Sequence, residues 1–155
     1  MKQVLRVWWP WILFGIFLII QFFRIDRSIP NVDSNNDFFE IVEVPKEIHK
    51  TLKSACVDCH SYDTKYPWYA EIAPVSWWLA SHINNGRKHF NFSEWGTYSD
   101  KKADHKLEEC VEMVEKKEMP LLSYMITHGE ARISADERAK LVDFFAALRS
   151  KYQVE

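Results

Sequence analysis

Two cysteines and a histidine stand close together in the run Cys56-Val57-Asp58-Cys59-His60. This spacing is typical of covalent haem c attachment, in which both thiols add to porphyrin vinyl groups and the histidine becomes an axial ligand of the iron. Two residues between the cysteines let one helical turn present both sulfurs to the ring, while the next side chain faces the metal. The pattern therefore predicts one covalently bound haem c, held by Cys56, Cys59 and His60.

Two other kinds of site are compatible with the cysteine pair. A structural zinc site would need Cys110 and a histidine to complete it, yet no histidine lies beside Cys110. A redox-active pair of the thioredoxin kind would need a βαβ pattern, and the neighbouring sequence has helical periodicity instead. We therefore favour haem, and we interpret Cys110 as a buried thiol within an apolar helical stripe.

The N-terminal segment, which precedes the motif, has the composition of a membrane anchor. Residues 7–23 carry no charge, and this length is at the lower limit for a membrane-spanning helix. Trp8, Trp9 and Trp11 suit the interfacial belt of a bilayer. No small-residue cleavage site follows, so we predict an uncleaved transmembrane signal anchor at 1–27; a cleaved signal peptide or a buried core helix are the alternatives. Because haem c is assembled outside the bacterial inner membrane, the rest should face the periplasm.

The remaining chain divides into a linker with a short apolar segment at 28–44 and a haem-binding domain at 45–155. The linker is polar and contains a proline, whereas the type of its apolar end stays open. We expect a mainly α fold, a small cytochrome c-like helical domain wrapped around the haem. An apolar stripe at helical spacing leads from Pro45 into Cys56 and predicts the helix that carries the motif.

Three further helices are predicted within the domain. One runs from residue 75 to about 85, where Gly86 is interpreted as a C-terminal cap. A second, amphipathic helix covers 103–118. The last begins with a capping box formed by Ser134 and Glu137, and its apolar stripe should pack against the helix that precedes Cys56.

Side chains near the motif give predictions for the haem surroundings. We expect His60 to donate its Nδ1–H to a backbone carbonyl in the turns at Pro67 or Pro74, since such a bond orients a ligating imidazole. Arg87 is a candidate partner for a haem propionate, helped by an indole N–H of a tryptophan. The candidate tryptophans are Trp68 and Trp95.

The second axial position of the iron has several candidate ligands. Met119-Pro120 stands out because it follows one helix, precedes another, and has a backbone restricted by proline. This order resembles class I cytochromes c, in which a Met-Pro pair supplies the thioether. The alternatives are an open site or another side chain, namely Met125, His128, His82 or His89.

Several short motifs, separated from one another, follow in a characteristic order between residues 45 and 150. They are Cys56 to Ser61, Thr64, Tyr66 to Tyr69, Ala73 to Trp78, Gly86-Arg87, Asn91 to Trp95, and Met119-Pro120 followed by Tyr124. In this respect the chain resembles the bacterial haem-binding domain family of c-type cytochrome-like proteins. That resemblance implies haem c on a membrane-tethered domain, and it does not imply a particular reaction.

Two functions from different classes follow from a haem of this kind. With two protein ligands the iron has no open site, which favours electron transfer with redox proteins of the respiratory chain rather than an enzyme. The alternative is a haem sensor or small peroxidase, with His128 or Arg87 handling protons. From Asn31 onward the chain has 16 basic and 21 acidic residues. This net negative charge does not favour binding to nucleic acid, so a nucleic-acid partner is not expected.

Overall fold

The computed structural model describes the backbone of residues 2–153 and the side chains of residues 8–153. Over that part the chain forms eight α-helices and four short 3₁₀ turns, and it contains no β-strand. The helices are α1 (Lys2–Ile20), α2 (Phe38–Ile41), α3 (Lys46–Ala55), α4 (Val57–His60), α5 (Val75–His89), α6 (Asp100–Glu115), α7 (Leu122–Thr127) and α8 (Ala135–Arg149). The mainly helical fold predicted from the sequence is confirmed.

The main hydrophobic core lies between α2, α3, α6 and α8 and is centred on Phe38. This side chain is fully buried. Three aromatic rings meet it edge-on at centroid distances of 6.3, 5.2 and 5.2 Å, those of Phe90, Phe92 and Trp95. The apolar segment whose type the sequence left open is therefore a short helix, α2, that places one aromatic anchor in the core.

The last helix begins as predicted. The Ser134 Oγ accepts a hydrogen bond from the Glu137 backbone N–H at 3.2 Å, and the Glu137 carboxylate accepts one from the Ser134 N–H at 2.8 Å. This capping box satisfies two backbone donors at the start of α8. The helix contacts α3, as predicted, and packs more extensively against α6.

Three helix boundaries differ from the sequence-based prediction, and one of them is the end of α6, which lies at Glu115 rather than at residue 118. Helix α5 continues through Gly86 to His89, so Gly86 is not a cap. Helix α6 begins at Asp100 rather than at residue 103, because Ser99 caps it by accepting from the Lys102 N–H at 3.4 Å. Serine is a preferred N-terminal cap, and it is this residue that sets the start of α6.

The N-terminal helix α1 has exposed apolar side chains, among them Trp8, Trp9 and Trp11. Within the part of the chain that the structure describes, no helix is both long enough and apolar enough to cross a membrane. The transmembrane helix predicted for this segment is therefore not supported.

The residues that follow α1 pack on the domain. The Gln21 side-chain amide makes two hydrogen bonds with the backbone of Ala73, at 3.0 and 2.9 Å. The Trp77 indole N–H donates to the Phe23 carbonyl at 2.8 Å. The end of the predicted anchor is thus fixed against the beginning of α5.

Candidate functional site

The cysteine and histidine motif consists of Cys56, which follows α3, and the single-turn helix α4. Cys56 separates the two helices, and its carbonyl accepts hydrogen bonds from the N–H groups of Cys59 and His60, at 3.2 and 2.9 Å. All three side chains line the same cavity. The local backbone therefore presents both sulfurs and the imidazole to one space, as the motif predicts.

This cavity has a volume of about 530 Å³, and a smaller cavity lies beside it. The two are called the larger and the smaller cavity. Aromatic and aliphatic side chains form much of its wall, including Phe90, Phe92, Val114 and Phe145. Met119 and Pro120 form another part of the wall. The structure thus brings together, around one space, four residues that the sequence assigned to the haem: Cys56, Cys59, His60 and Met119.

The segment that carries Met119 is held through its backbone. The Met119 N–H donates to the Met113 carbonyl at 3.1 Å, and the Met119 carbonyl accepts from the Arg138 guanidinium at 2.9 Å. Of the alternative distal ligands, His82 and His89 also line the larger cavity, whereas two others do not line it. Those two are Met125 and His128.

The His60 ring is oriented by α5. Its Nδ1 lies 3.0 Å from the Phe90 carbonyl oxygen. A carbonyl only accepts, so Nδ1 carries the proton and Nε2 keeps its lone pair. Burial lowers the pKa of His60, which also favours the neutral ring. The predicted kind of acceptor is correct, but its location at Pro67 or Pro74 is wrong, because the C-terminal end of α5 passes closer to the ring than those turns do.

Gly86 lies where α5 crosses the motif. A β-carbon built there would stand 2.7 Å from the Cys59 carbonyl oxygen, which is closer than side chains approach backbone atoms. Glycine is therefore required by the close contact of two backbones, not by a helix end. This contact places α5 directly against the turn that carries Cys59.

Arg87 follows Gly86 and holds the loop after the motif. Its Nε donates to the Ser61 carbonyl at 2.8 Å, its Nη2 donates to the Thr64 hydroxyl at 2.9 Å, and its guanidinium lies over the Tyr62 ring. Arg87 does not line the larger cavity. Its assignment to a haem propionate stays a prediction, and the contacts assign it a structural role in this loop.

Other sequence candidates for the propionates lie elsewhere. Trp68 is 76% exposed and lines a separate, smaller cavity of about 290 Å³. Trp95 is buried in the main core. The cationic side chains that do line the larger cavity are Lys106 and Lys116, on and just after α6. Both form ion pairs with carboxylates of α6.

Sequence reasoning missed a hydrogen bond between the motif and α7. The Tyr124 hydroxyl donates to the Asp58 carboxylate at 2.7 Å, and the same carboxylate accepts from the Lys65 N–H at 3.0 Å. Burial, followed by the bond to Asp58, raises the pKa of Tyr124 above its usual value. Asp58 sits between the two cysteines and Tyr124 follows Met119-Pro120, so this bond joins the two predicted ligand segments. The only sequence sign was the presence of both residues in the family-like motifs.

The three cysteines are free thiols, and burial raises the pKa of each one. Burial and then the neighbouring Cys59 raise the pKa of Cys56 to about 12. Burial and then the charge of Asp58 raise the pKa of Cys59 to about 11, although Arg87 opposes this. Cys110 also lines the larger cavity and packs against the core, and burial raises its pKa as well.

The chemistry of these side chains fits a haem. Two thiols, one neutral imidazole with Nδ1 already engaged, and one thioether line a single cavity whose walls are largely apolar. The volume lies within the range of small-molecule and cofactor sites. No group of three or more His, Cys, Asp or Glu side chains that could hold a metal ion occurs in the part of the chain with described side chains.

Comparison with known proteins gives the same answer for the cofactor. The family model described as a haem-binding domain matches residues 15–147. No curated protein and no solved structure matches the chain. The matched range contains the cysteine and histidine motif, α5, and the Met119 segment. The chain therefore belongs to the haem-binding domain family.

Proposed function

We propose that this protein is a c-type cytochrome that binds one haem covalently and transfers electrons. Cys56 and Cys59 would form the thioether bonds, while His60 and Met119 would be the axial ligands. The observation that carries this proposal is the shared cavity, since thiols, imidazole and thioether from separate segments line one space. Once bound, the haem supplies an iron that changes oxidation state by one electron.

The chain's own side chains support this assignment in three ways. The Phe90 carbonyl fixes the His60 tautomer and leaves Nε2 available as a ligand. Cys56 and Cys59 are free thiols with two residues between them, as addition of one sulfur to each of two vinyl groups requires. The thioether of Met119 is a ligand that raises the potential of a haem iron relative to imidazole.

The proposal includes a cellular location. Covalent haem is attached outside the bacterial inner membrane, so we place the domain in the periplasm, where respiratory redox proteins would be its partners. The exposed tryptophans of α1 support association of the N-terminal segment with the membrane. Fractionation of cells that produce the full chain, or the chain without residues 1–27, tests this location. Recovery of both proteins in the same fraction would contradict membrane association through this segment.

The optical spectrum of the purified protein tests the main proposal. Haem staining after denaturing electrophoresis would establish covalent attachment. A low-spin ferric spectrum with the weak near-infrared band of sulfur-to-iron charge transfer would establish histidine and methionine ligation. A high-spin spectrum that shifts with carbon monoxide or cyanide would overturn electron transfer with a closed site and point to ligand sensing or peroxide chemistry.

A further inference from the structure

The smaller cavity, of about 290 Å³, is a neighbour of the larger one. Four residues belong to the walls of both cavities, namely Cys59, His82, Leu121 and Tyr124. A molecule in the smaller cavity would therefore lie against the wall that carries one proposed thioether cysteine. The smaller cavity has about half the volume of the larger one, so it suits a single substituted ring rather than a macrocycle.

The walls of the smaller cavity are mainly aromatic and aliphatic. Trp68, Tyr69, Trp78 and Leu79 all contribute side chains. Aromatic rings bind other flat rings by stacking and by edge-to-face contact. The shape and chemistry of the wall thus favour a flat, apolar ring as the occupant.

Most polar groups around this cavity already have partners. The Thr127 hydroxyl contacts the Tyr69 hydroxyl at 3.3 Å, and the Tyr124 hydroxyl donates to Asp58. Among residues with described side chains, no hydrogen bond joins the Ser123 hydroxyl to another group. The same holds for Nε2 of His82.

His82 is oriented to accept a hydrogen bond. Its Nδ1 lies 2.9 Å from the Trp78 carbonyl, so Nδ1 carries the proton and Nε2 keeps its lone pair. Its ring is tilted against the Trp78 ring with a centroid distance of 4.3 Å. An acceptor beside an aromatic wall matches a ring that bears a hydroxyl group.

The mouth of the smaller cavity opens on an apolar surface. Trp68, Val75 and Trp78 line the cavity and are 76%, 41% and 48% exposed. A ligand that enters here passes over apolar side chains, which favours a lipophilic molecule.

We infer that the smaller cavity binds the ring of a hydroquinone of the lipophilic quinol class. Trp78 contacts the ring, His82 Nε2 accepts a hydrogen bond from one ring hydroxyl, and Ser123 lies within the same cavity as a second polar group. The choice of a quinol over another phenol rests on the proposed function, because a quinol is a redox-active ring and this cavity borders the proposed haem.

Calorimetric titration of the full-length, haem-loaded protein with tetramethylhydroquinone tests this inference. The protein is kept reduced and anaerobic, so that binding is measured without electron exchange. We expect saturable binding at one site. Replacing Trp78 with alanine should weaken binding about tenfold, since an aromatic contact contributes up to about 1.5 kcal/mol. Trp77→Ala is the matched control, because Trp77 is an exposed neighbour outside the cavity wall, and its dissociation constant should stay within about twofold.

Two further measurements separate the quinol from other occupants. The dimethyl ether of the same ring lacks hydroxyl donors and should bind more weakly to the unchanged protein, whereas His82→Phe should remove this preference. Val75→Trp should block binding, because the larger side chain would fill the mouth of the cavity. Equal weakening by Trp77→Ala and Trp78→Ala would overturn the inference. Displacement of the quinol by decyl glucoside, which has an alkyl chain and no benzene ring, would also overturn it and indicate a lipid-tail site.

The optical spectrum of each sample distinguishes the two proposals. A low-spin haem spectrum without quinol binding would overturn the quinol site and leave the cytochrome proposal standing. Quinol binding to a protein whose purified form carries no haem would overturn the cytochrome proposal and leave a ring-binding cavity.

Discussion

The wall of the larger cavity that carries Cys56, Cys59 and His60 is held by a crossing helix, whereas the wall that carries Met119 is held at a helix end. The cysteine and histidine wall has the His60 bond to Phe90, the close passage of Gly86, and the Arg87 bonds to the following loop. The Met119 wall depends on the end of α6 and on Arg138, which donates to the Met119 carbonyl.

This difference matches the different demands that the proposed chemistry makes on each wall. Cys56, Cys59 and His60 would have to hold one haem at both its edge and its iron, and several contacts fix the backbone that carries them. A thioether ligand on a loop can be displaced more easily. We expect substitutions in the cysteine and histidine wall to affect attachment and stability, and those in the Met119 wall to affect spectrum and potential.

The largest expected effect is loss of covalent haem. The double substitution Cys56→Ser and Cys59→Ser removes both proposed attachment sulfurs, so haem staining after denaturing electrophoresis should disappear. Cys110→Ala is the matched control, since Cys110 is a third thiol in the wall of the same cavity. Its staining should equal that of the unchanged protein. Loss of staining in Cys110→Ala alone would reassign the attachment.

Next in size is the change expected on the Met119 wall. Met119→Ala should remove the near-infrared charge-transfer band while haem staining persists, and the midpoint potential should fall if a histidine replaces the thioether. Met125→Ala is the control, because Met125 does not line the larger cavity. A band that persists in Met119→Ala would show that another sulfur binds the iron.

Short-range patterns are enough to predict which motif residues line one cavity. Cys56, Cys59 and His60 share one turn, so their common direction follows from helical geometry alone. The placement of Met119 followed from the order of helices around a Met-Pro pair. These predictions required no knowledge of how distant segments cross.

Gly86 shows where sequence reasoning fails. A glycine followed by basic residues is typical of a helix end. The same pattern arises here because α5 passes within contact distance of the Cys59 carbonyl. The partner of His60 and the bond between Tyr124 and Asp58 depend on the same kind of crossing. A single sequence does not specify which carbonyl or carboxylate a distant helix brings near.

A smaller effect, on stability, is expected at the crossing of α5 and the motif. Gly86→Ala places a methyl group 2.7 Å from the Cys59 carbonyl, so α5 must shift. We expect a loss of about 1–3 kcal/mol in unfolding free energy, which corresponds to roughly 2–12 °C in melting temperature. Thermal denaturation followed by circular dichroism measures this.

Gly129→Ala is the control for this crossing. A β-carbon at Gly129 meets nothing within 4 Å, so its melting temperature should change little. Equal melting temperatures for Gly86→Ala and Gly129→Ala would show that the close contact between α5 and the Cys59 carbonyl does not stabilise the fold.

The hydrogen bond between Tyr124 and Asp58, which joins the two walls, should contribute less to the unfolding free energy. Tyr124→Phe removes the donor to the Asp58 carboxylate, and the half-buried bond is expected to contribute about 1.5 kcal/mol. Because the pKa of Tyr124 is raised above 10.0 in the folded protein, its contribution is complete below pH 10.0 and is lost as pH rises further.

Urea denaturation at several pH values measures this contribution. The stability difference between the unchanged protein and Tyr124→Phe should be constant from pH 7 to 9 and shrink above pH 10. Tyr69→Phe is the control, since the Tyr69 hydroxyl makes an exposed contact of 3.3 Å with Thr127. A difference that grows with alkaline pH would contradict the role given to Asp58.

The smallest effect is expected where the Met119 segment leaves α6. Lys117 has a φ of 61°, in the left-handed region, and its N–H donates to the Val114 carbonyl while the next N–H, of Glu118, donates to Met113. This is a Schellman helix end with lysine at the position that favours glycine. Lys117→Gly should therefore raise the unfolding free energy by about 1 kcal/mol.

Lys116→Gly is the matched control, because Lys116 has a right-handed backbone with φ of −71°, and glycine there should lower stability by about 0.5–1 kcal/mol. Opposite signs in urea denaturation would show that the Met119 wall carries backbone strain, whereas equal losses would show that Lys117 is unstrained.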